Sequence, residues 1–261
     1  MSKPMDTLPQ AKLLKIPARE AARMRCFVFP HAGSGAFPYR PLAASLPPFV
    51  EVVIAQLPGR ETTFGQAAFH SMNDLAASLV RQIEKEPNVP SLFIGHSFGA
   101  HVALFVCRLL EKKGAPLPLG LVASSARAPH KPSRQEPMAT LPRAAFVDRI
   151  RKYGGTPEAV LANEELLDLF LPPLRVDLGI LETYKQAPGE PFSFPLFAFG
   201  GEKDTTTHTD DLEAWREHTT GTFTMRLFEG GHFYLFEQSK AAFGAAVSEI
   251  ITVALKGATS A

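Results

Sequence analysis

Ser91-Leu92-Phe93-Ile94-Gly95-His96-Ser97-Phe98-Gly99-Ala100-His101-Val102-Ala103-Leu104 sets a strand against a helix across a single serine. Ser91 to Ile94 reads as a short buried strand. Ala100 to Leu110 is an apolar run of helical length. Between them lies Gly95-His96-Ser97-Phe98-Gly99. Strand, Gly-x-Ser-x-Gly, helix is the order a nucleophile elbow requires. The serine must occupy a sharp, strained turn, and glycines without Cβ atoms let strand and helix close on each other. Such a turn lifts the Ser97 hydroxyl clear of the backbone and places it at a helix N-terminus, where N–H groups stabilise a developing oxyanion. The pentapeptide alone is a weak signal, because small residues cluster in many turns. Its place between strand and helix gives it weight.

Upstream, Arg25 to Phe29 is an aromatic and β-branched strand stopped by Pro30, and His31-Ala32-Gly33-Ser34-Gly35 follows directly. A glycine-rich turn there supplies the second oxyanion donor that the elbow needs. The Ala32 N–H is assigned that role, beside the Phe98 N–H. The plainer alternative is a strand-to-helix loop. Gly33 and Gly35 lack the third spaced glycine of a dinucleotide fingerprint. Lys12 to Ile16 reads as an outer strand, Tyr39 to Leu46 as a short helix ended by Pro47-Pro48, and Glu51 to Ala55 as a buried strand. Leu57 to Glu61 is a turn. A helix capped by Ser71 or Asn73 runs to Glu84. Gly120 to Ser124 is the next strand. This alternation predicts an α/β fold, with a mostly parallel central sheet flanked by helices.

From Arg127 to about Gln186 the alternation stops. Prolines 129, 132 and 137 open the segment, and helical pieces follow at Arg143–Tyr153, Pro157–Leu161, Glu164–Leu171 and, past Pro172-Pro173, Leu174–Tyr184. A helical insertion at this point predicts a lid over the site. The division is then 1–126 for the first part of the core, 127–186 for the lid and 187–261 for the second part of the core. Leu166, Leu167, Leu169, Phe170 and Leu174 either line an acyl channel or pack the insertion onto the body. The strand Phe194 to Gly200 leads to Gly201-Glu202-Lys203-Asp204, and Asp204 is preferred over Glu202, Asp210 and Asp211 as the acid. A helix carrying Leu212, Trp215 and His218 and the strand Phe223–Phe228 come next. Then Gly230-Gly231-His232 places a histidine after the final strand. Ser97, Asp204 and His232 appear in the order of an α/β-hydrolase triad, each past a strand end. A helix from about Ser239 to Leu255 closes the chain.

The composition narrows the alternatives. The chain has 261 residues, 45% of them hydrophobic, and a net charge of +1. It has no basic block, so nothing points to nucleic acid. No apolar run is long enough to span a membrane, and the N-terminus has no signal core, so a cytoplasmic protein with a loose tail is expected. The two cysteines, Cys26 and Cys107, sit in apolar runs and read as buried thiols. The eight histidines show no metal-ligand spacing. No association element stands out, and a monomer is expected.

The chain resembles the type II thioesterases, the stand-alone editing hydrolases of polyketide synthase and non-ribosomal peptide synthetase pathways. The resemblance runs from about Arg25 to Ile250. It rests on Phe29-Pro30-His31-Ala32-Gly33, Gln56-Leu57-Pro58-Gly59-Arg60-Glu61, the elbow, Gly154-Gly155-Thr156-Pro157, Leu171-Pro172-Pro173-Leu174-Arg175-Val176-Asp177 and Gly230-Gly231-His232-Phe233-Tyr234. The two lid pieces are the most diagnostic. The resemblance implies catalytic Ser97, Asp204 and His232, oxyanion donors at Ala32 and Phe98, and a flexible helical lid. It also implies a substrate acyl group carried on the phosphopantetheine arm of an acyl or peptidyl carrier protein, with no separate cofactor. The chain departs from the family pattern at Ser34, where glycine is common, and at Thr63, where arginine is common. The same triad would serve a general carboxylesterase or lipase, and the fold alone would permit an inactive receptor or interaction protein.

Overall fold

The computed structural model describes residues 9–184 and 189–258. The strands are β1 (Lys12–Ile16), β2 (Met24–Phe29), β3 (Val50–Gln56), β4 (Ser91–His96), β5 (Leu121–Ser124), β6 (Leu196–Gly201) and β7 (Phe223–Phe228). The helices are α1 (Leu42–Ser45), α2 (Met72–Ile83), α3 (Phe98–Lys112), α4 (Arg143–Tyr153), α5 (Glu158–Leu161), α6 (Glu164–Thr183), α7 (Thr209–Glu213) and α8 (Lys240–Ala258). The strands form one sheet in the order β1-β3-β2-β4-β5-β6-β7. Only β1 runs antiparallel, against β3, and every other pairing is parallel.

Both faces of the sheet are covered, and the period-two alternation of the strands divides the core accordingly. Phe27, Phe29, Val53 and Phe93 pack with α2 and α3 on one face. Cys26, Val28, Val52, Ile54, Leu92 and Ile94 pack with α8 on the other. Cys26 and Cys107 are free and buried. Trp215 is fully buried, and its indole N–H donates to the Ala126 carbonyl at 2.7 Å. Ser71 caps α2 by accepting from the Asp74 N–H at 3.1 Å, which resolves the choice between Ser71 and Asn73. Among the described residues no helix is long and apolar enough to cross a membrane.

Two local expectations fail. Tyr39 to Leu46 is not a single helix: a 3-10 turn at Phe37–Tyr39 ends before α1 starts at Leu42, with Pro41 between them. Pro41 has no N–H to carry the hydrogen-bond ladder onward, so the helix restarts after it. Conversely, Pro172-Pro173 does not divide two helices, because α6 runs through both. Each proline removes one bond to the carbonyl four residues back. Those carbonyls belong to Asp168 and Leu169, which are exposed, so water can serve them.

Between β5 and β6 the helices α4, α5 and α6 build a core of their own from Met138, Phe146, Ile150, Leu161, Leu167 and Leu171. The expected end of this insertion, residues 185 and 186, and the first residues of the following segment, 187 and 188, lie outside the described residues. So do residues 1–8 of the N-terminal tail and residues 259–261.

Candidate active site

Ser97 stands between β4 and α3 with φ 53° and ψ −119°, a backbone conformation that costs free energy in a residue with a Cβ. The surrounding glycines make the turn possible. A Cβ on Gly99 would lie 1.9 Å from the Phe29 carbonyl oxygen, and one on Gly95 would lie 2.4 Å from Ala100 Cα. The Ser97 N–H donates to Ser124 O at 2.7 Å, fixing the turn to β5. Beneath it, His96 Nδ1 lies 3.0 Å from Ser124 Oγ, which lies 2.8 Å from the Tyr234 hydroxyl.

Asp204 follows β6 and His232 follows β7, so neighbouring parallel strands deliver both to one end of the sheet. His232 Nδ1 and Asp204 Oδ2 are 2.8 Å apart. Asp204 Oδ1 accepts from the Thr206 N–H at 2.8 Å, the Thr206 hydroxyl at 2.7 Å and the Thr207 N–H at 3.1 Å. Burial disfavours the charge, but the hydrogen bonds from His232 and Thr206 outweigh it and hold the Asp204 carboxyl at about 2. The Thr206 hydroxyl also lies 2.8 Å from His232 Nδ1. Sequence reading passed over Thr206. Its signal was the Asp-x-Thr spacing of a turn in which a carboxylate takes the N–H two residues on.

Ala32 heads the loop after β2, on the other side of β4 from β5. No acceptor within the described residues takes its N–H. Phe98 is the first residue of α3, so its N–H has no partner inside that helix. The loop is held from several directions. The Tyr39 hydroxyl receives the His31 N–H at 3.0 Å and lies 2.7 Å from His31 Nδ1. Gln56 Oε1 accepts the Ala36 N–H at 2.9 Å, and the Glu61 carboxylate accepts the N–H groups of Ala36 and Phe37, each at 3.0 Å. Asp177 on α6 accepts from the Gly33 N–H at 2.8 Å and from the two terminal guanidinium nitrogens of Arg60, Nη1 and Nη2, at 2.5 and 3.0 Å. The Gln56–Glu61 turn and the Leu171–Asp177 segment therefore meet at the loop that carries Ala32. The two departures are accommodated locally. The Ser34 hydroxyl donates to Gly35 O at 3.0 Å, and the Thr63 hydroxyl lies 2.6 Å from Leu57 O and 2.7 Å from Arg60 O.

A cavity of about 620 Å³ opens over Ser97 and His232. Its walls are mostly apolar and include Ile150, Val160, Leu166, Leu169, Phe170 and Leu174. Leu167 does not line it and packs inside the insertion instead. The five apolar residues singled out on α6 thus divide between the two roles. The insertion also meets the site at Gly155, where a Cβ would lie 2.2 Å from the Phe233 ring, next to His232.

The model of the thioesterase domain matches residues 25–251. The chain belongs to the thioesterase family. It is a hydrolase acting on thioesters, and its structural neighbours include type II thioesterases. This thioesterase is 34% identical over 217 residues to the gramicidin S biosynthesis protein GrsT of Aneurinibacillus migulanus, a match covering 83% of this chain and 85% of that one. Among solved structures it is similar to the thioesterase RedJ from the prodiginine pathway of Streptomyces coelicolor. That match has a TM-score of 0.83 and 33% identity, and covers 88% of this chain and 86% of RedJ. It is also similar to YbtT, the type II thioesterase of the yersiniabactin NRPS/PKS pathway, with a TM-score of 0.80, 30% identity, and 90% and 96% of the two chains covered. These likenesses establish the α/β-hydrolase architecture of this thioesterase.

Proposed function

We propose that the thioesterase releases acyl groups from the phosphopantetheine arm of acyl or peptidyl carrier proteins through an acyl-enzyme on Ser97. The observation that carries this reading is a strained serine at the foot of a large apolar cavity, beside a buried Asp204–His232 pair. Asp204 accepts from the His232 Nδ1–H and leaves Nε2 as the base. His232 takes the Ser97 proton as the hydroxyl oxygen bonds to the thioester carbonyl carbon. The oxyanion accepts from the Ala32 and Phe98 N–H groups. Collapse breaks the C–S bond, and the thiolate leaves with the electron pair and takes the proton from His232. Water then repeats the sequence: His232 removes its proton, the C–O bond to Ser97 breaks, and the serine recovers its proton as the free acid departs. The helices between β5 and β6 form the lid, and Phe170 and Leu174 contact the acyl chain.

The deciding experiment presents one acyl group on a phosphopantetheinylated carrier protein and as a simple oxygen ester, to wild type and to Ser97→Ala. Serine-dependent release that strongly favours the carrier thioester is expected. Preference for the oxygen ester moves the chain to the general esterases. Serine-independent turnover by pure protein eliminates the acyl-enzyme.

A further inference from the structure

The donor assigned to Ala32 is the N–H of the His31–Ala32 peptide, so the φ and ψ angles of His31 aim it. The His31 carbonyl accepts the Ser34 N–H at 3.1 Å, which closes a four-residue turn from His31 to Ser34. Gly33, third in that turn, has φ 75°, while Ala32 is not at positive φ, so the turn is type II. The peptide is trans, and across a trans peptide the C=O and N–H point in opposite directions. Drawing the His31 carbonyl toward Ser34 therefore turns the Ala32 N–H outward, where no acceptor among the described residues takes it.

The other end of His31 is held by one oxygen. Its N–H donates to the Tyr39 hydroxyl at 3.0 Å, and the same hydroxyl lies 2.7 Å from its Nδ1. Tyr39 is 3% exposed, and its hydroxyl has no other partner among the described residues. The oxygen accepts from the main chain, so the hydroxyl proton goes to Nδ1. Burial, then nearby His232 and Arg60, lowers the pKa of His31 to about 3, so the ring is neutral. A neutral imidazole that accepts at Nδ1 carries its proton on Nε2. Main chain and side chain of His31 are thus tied to a single point, which fixes its φ and its ring together.

Tyr39 is itself placed by the far end of the loop. It closes the 3-10 turn at Phe37–Tyr39, and its N–H donates to Ala36 O at 3.2 Å. Gln56 and Glu61 hold the N–H groups of Ala36 and Phe37, where that turn begins. Phe236 packs edge-on against both rings, with centroids 5.0 Å from Tyr39 and 5.6 Å from His31. A phenylalanine at position 39 would keep that packing, so the hydroxyl adds only its two bonds to His31. Tyr39 does not line the cavity over Ser97, whereas His31 and Ala32 do. We infer that Tyr39 is a positioning residue, whose hydroxyl sets the backbone of His31 so that the Ala32 N–H meets the oxyanion formed at Ser97. The inference rests on the proposed role of Ser97.

The test compares wild type, Tyr39→Phe and His31→Phe on three compounds. Octanoyl-N-acetylcysteamine reports turnover. Octyl trifluoromethyl ketone becomes an oxyanion when it adds to Ser97, and octanoate binds without forming one. His31→Phe keeps the main-chain bond to Tyr39 and removes only the ring acceptor. Tyr39→Phe should lower kcat about tenfold, a part of what loss of a whole oxyanion donor costs, with KM unchanged. Its affinity for the ketone should fall by the same factor, and its affinity for octanoate should not fall. His31→Phe should lose less kcat than Tyr39→Phe. In wild type, nitrogen-15 spectra should show His31 protonated at Nε2 and not at Nδ1, a reading that stands even if Tyr39→Phe does not fold. An unchanged kcat in Tyr39→Phe overturns the inference, as does a loss of octanoate affinity equal to that of the ketone. So does a loss in His31→Phe as large as in Tyr39→Phe, or a wild-type His31 protonated at Nδ1. Folded wild type that neither turns over the thioester nor binds the ketone overturns the proposed function instead.

Discussion

Replacing Asp177 by alanine should loosen α6 and the Ala32–Ser34 loop together. Asp177 is 2% exposed, and the Arg60 side chain that it holds is 6% exposed. Removing the carboxylate strands a buried guanidinium and orphans the Gly33 N–H. Breaking a buried ion pair from one side costs about 3–5 kcal/mol, a large share of the roughly 5–15 kcal/mol that holds a domain folded. The double variant Arg60→Met/Asp177→Leu removes both charges; it leaves the Gly33 N–H unpaired, at about 1–3 kcal/mol, and takes the Arg60 donors from the Ser34 and Pro58 carbonyls. Urea unfolding of wild type, Asp177→Ala and the double should therefore show the double to be more stable than Asp177→Ala. Hydrogen exchange should rise in the Ala32–Ser34 loop and in α6. Turnover should fall in both variants, by up to about a hundredfold, because Gly33 adjoins Ala32, the proposed oxyanion donor. A loss below about 1 kcal/mol in Asp177→Ala, or a double variant no better than the single, would refute the reasoning.

Thr206→Val should lower kcat about tenfold, the cost of roughly one orienting hydrogen bond to Asp204 and His232, and Thr206→Ser should restore it. Equal kcat for valine and wild type would remove Thr206 from the site. Gly155→Ala should weaken lid docking by about 1–3 kcal/mol, because its φ is 76° and its Cβ would strike Phe233. Exchange in α4 and α5 that stays at the wild-type rate would count against that contact. Acid should destabilise the fold early. Burial holds His101 near 3 and His96 well below the ordinary 6.5, so between those values the unfolded chain binds more protons. Stability should fall by about 1.4 kcal/mol per histidine per pH unit as pH drops below 6.5. Asp204, held near 2 against an ordinary 3.8, should lose its contribution only as pH falls between those two values. Urea midpoints that stay level from pH 7 to pH 5 would disprove the histidine account.

The turn at Ser97 and the meeting of Asp204 with His232 were legible because each has a local signature: a strand end, a glycine turn, a fixed chain order. The alternating faces of β2, β3 and β4 were legible for the same reason, since side-chain direction in a strand repeats every second residue. Arg60 and Asp177 could be quoted as motif pieces, but their pairing spans 117 residues and no local pattern records it. Pro172-Pro173 reads as a break, yet α6 runs through it, with Asp168 and Leu169 on its exposed side and Leu167 and Leu171 packed on the other. Leu166 and Leu167 look alike in sequence, but neighbouring helical positions point apart, so one meets the cavity and the other the insertion core. Sequence therefore marked out the candidate residues Ser97, Asp204 and His232, because that depends on local turns and chain order. The folded chain set what surrounds Ser97, because enclosure and long-range pairing depend on which distant residues the sheet and the insertion bring together.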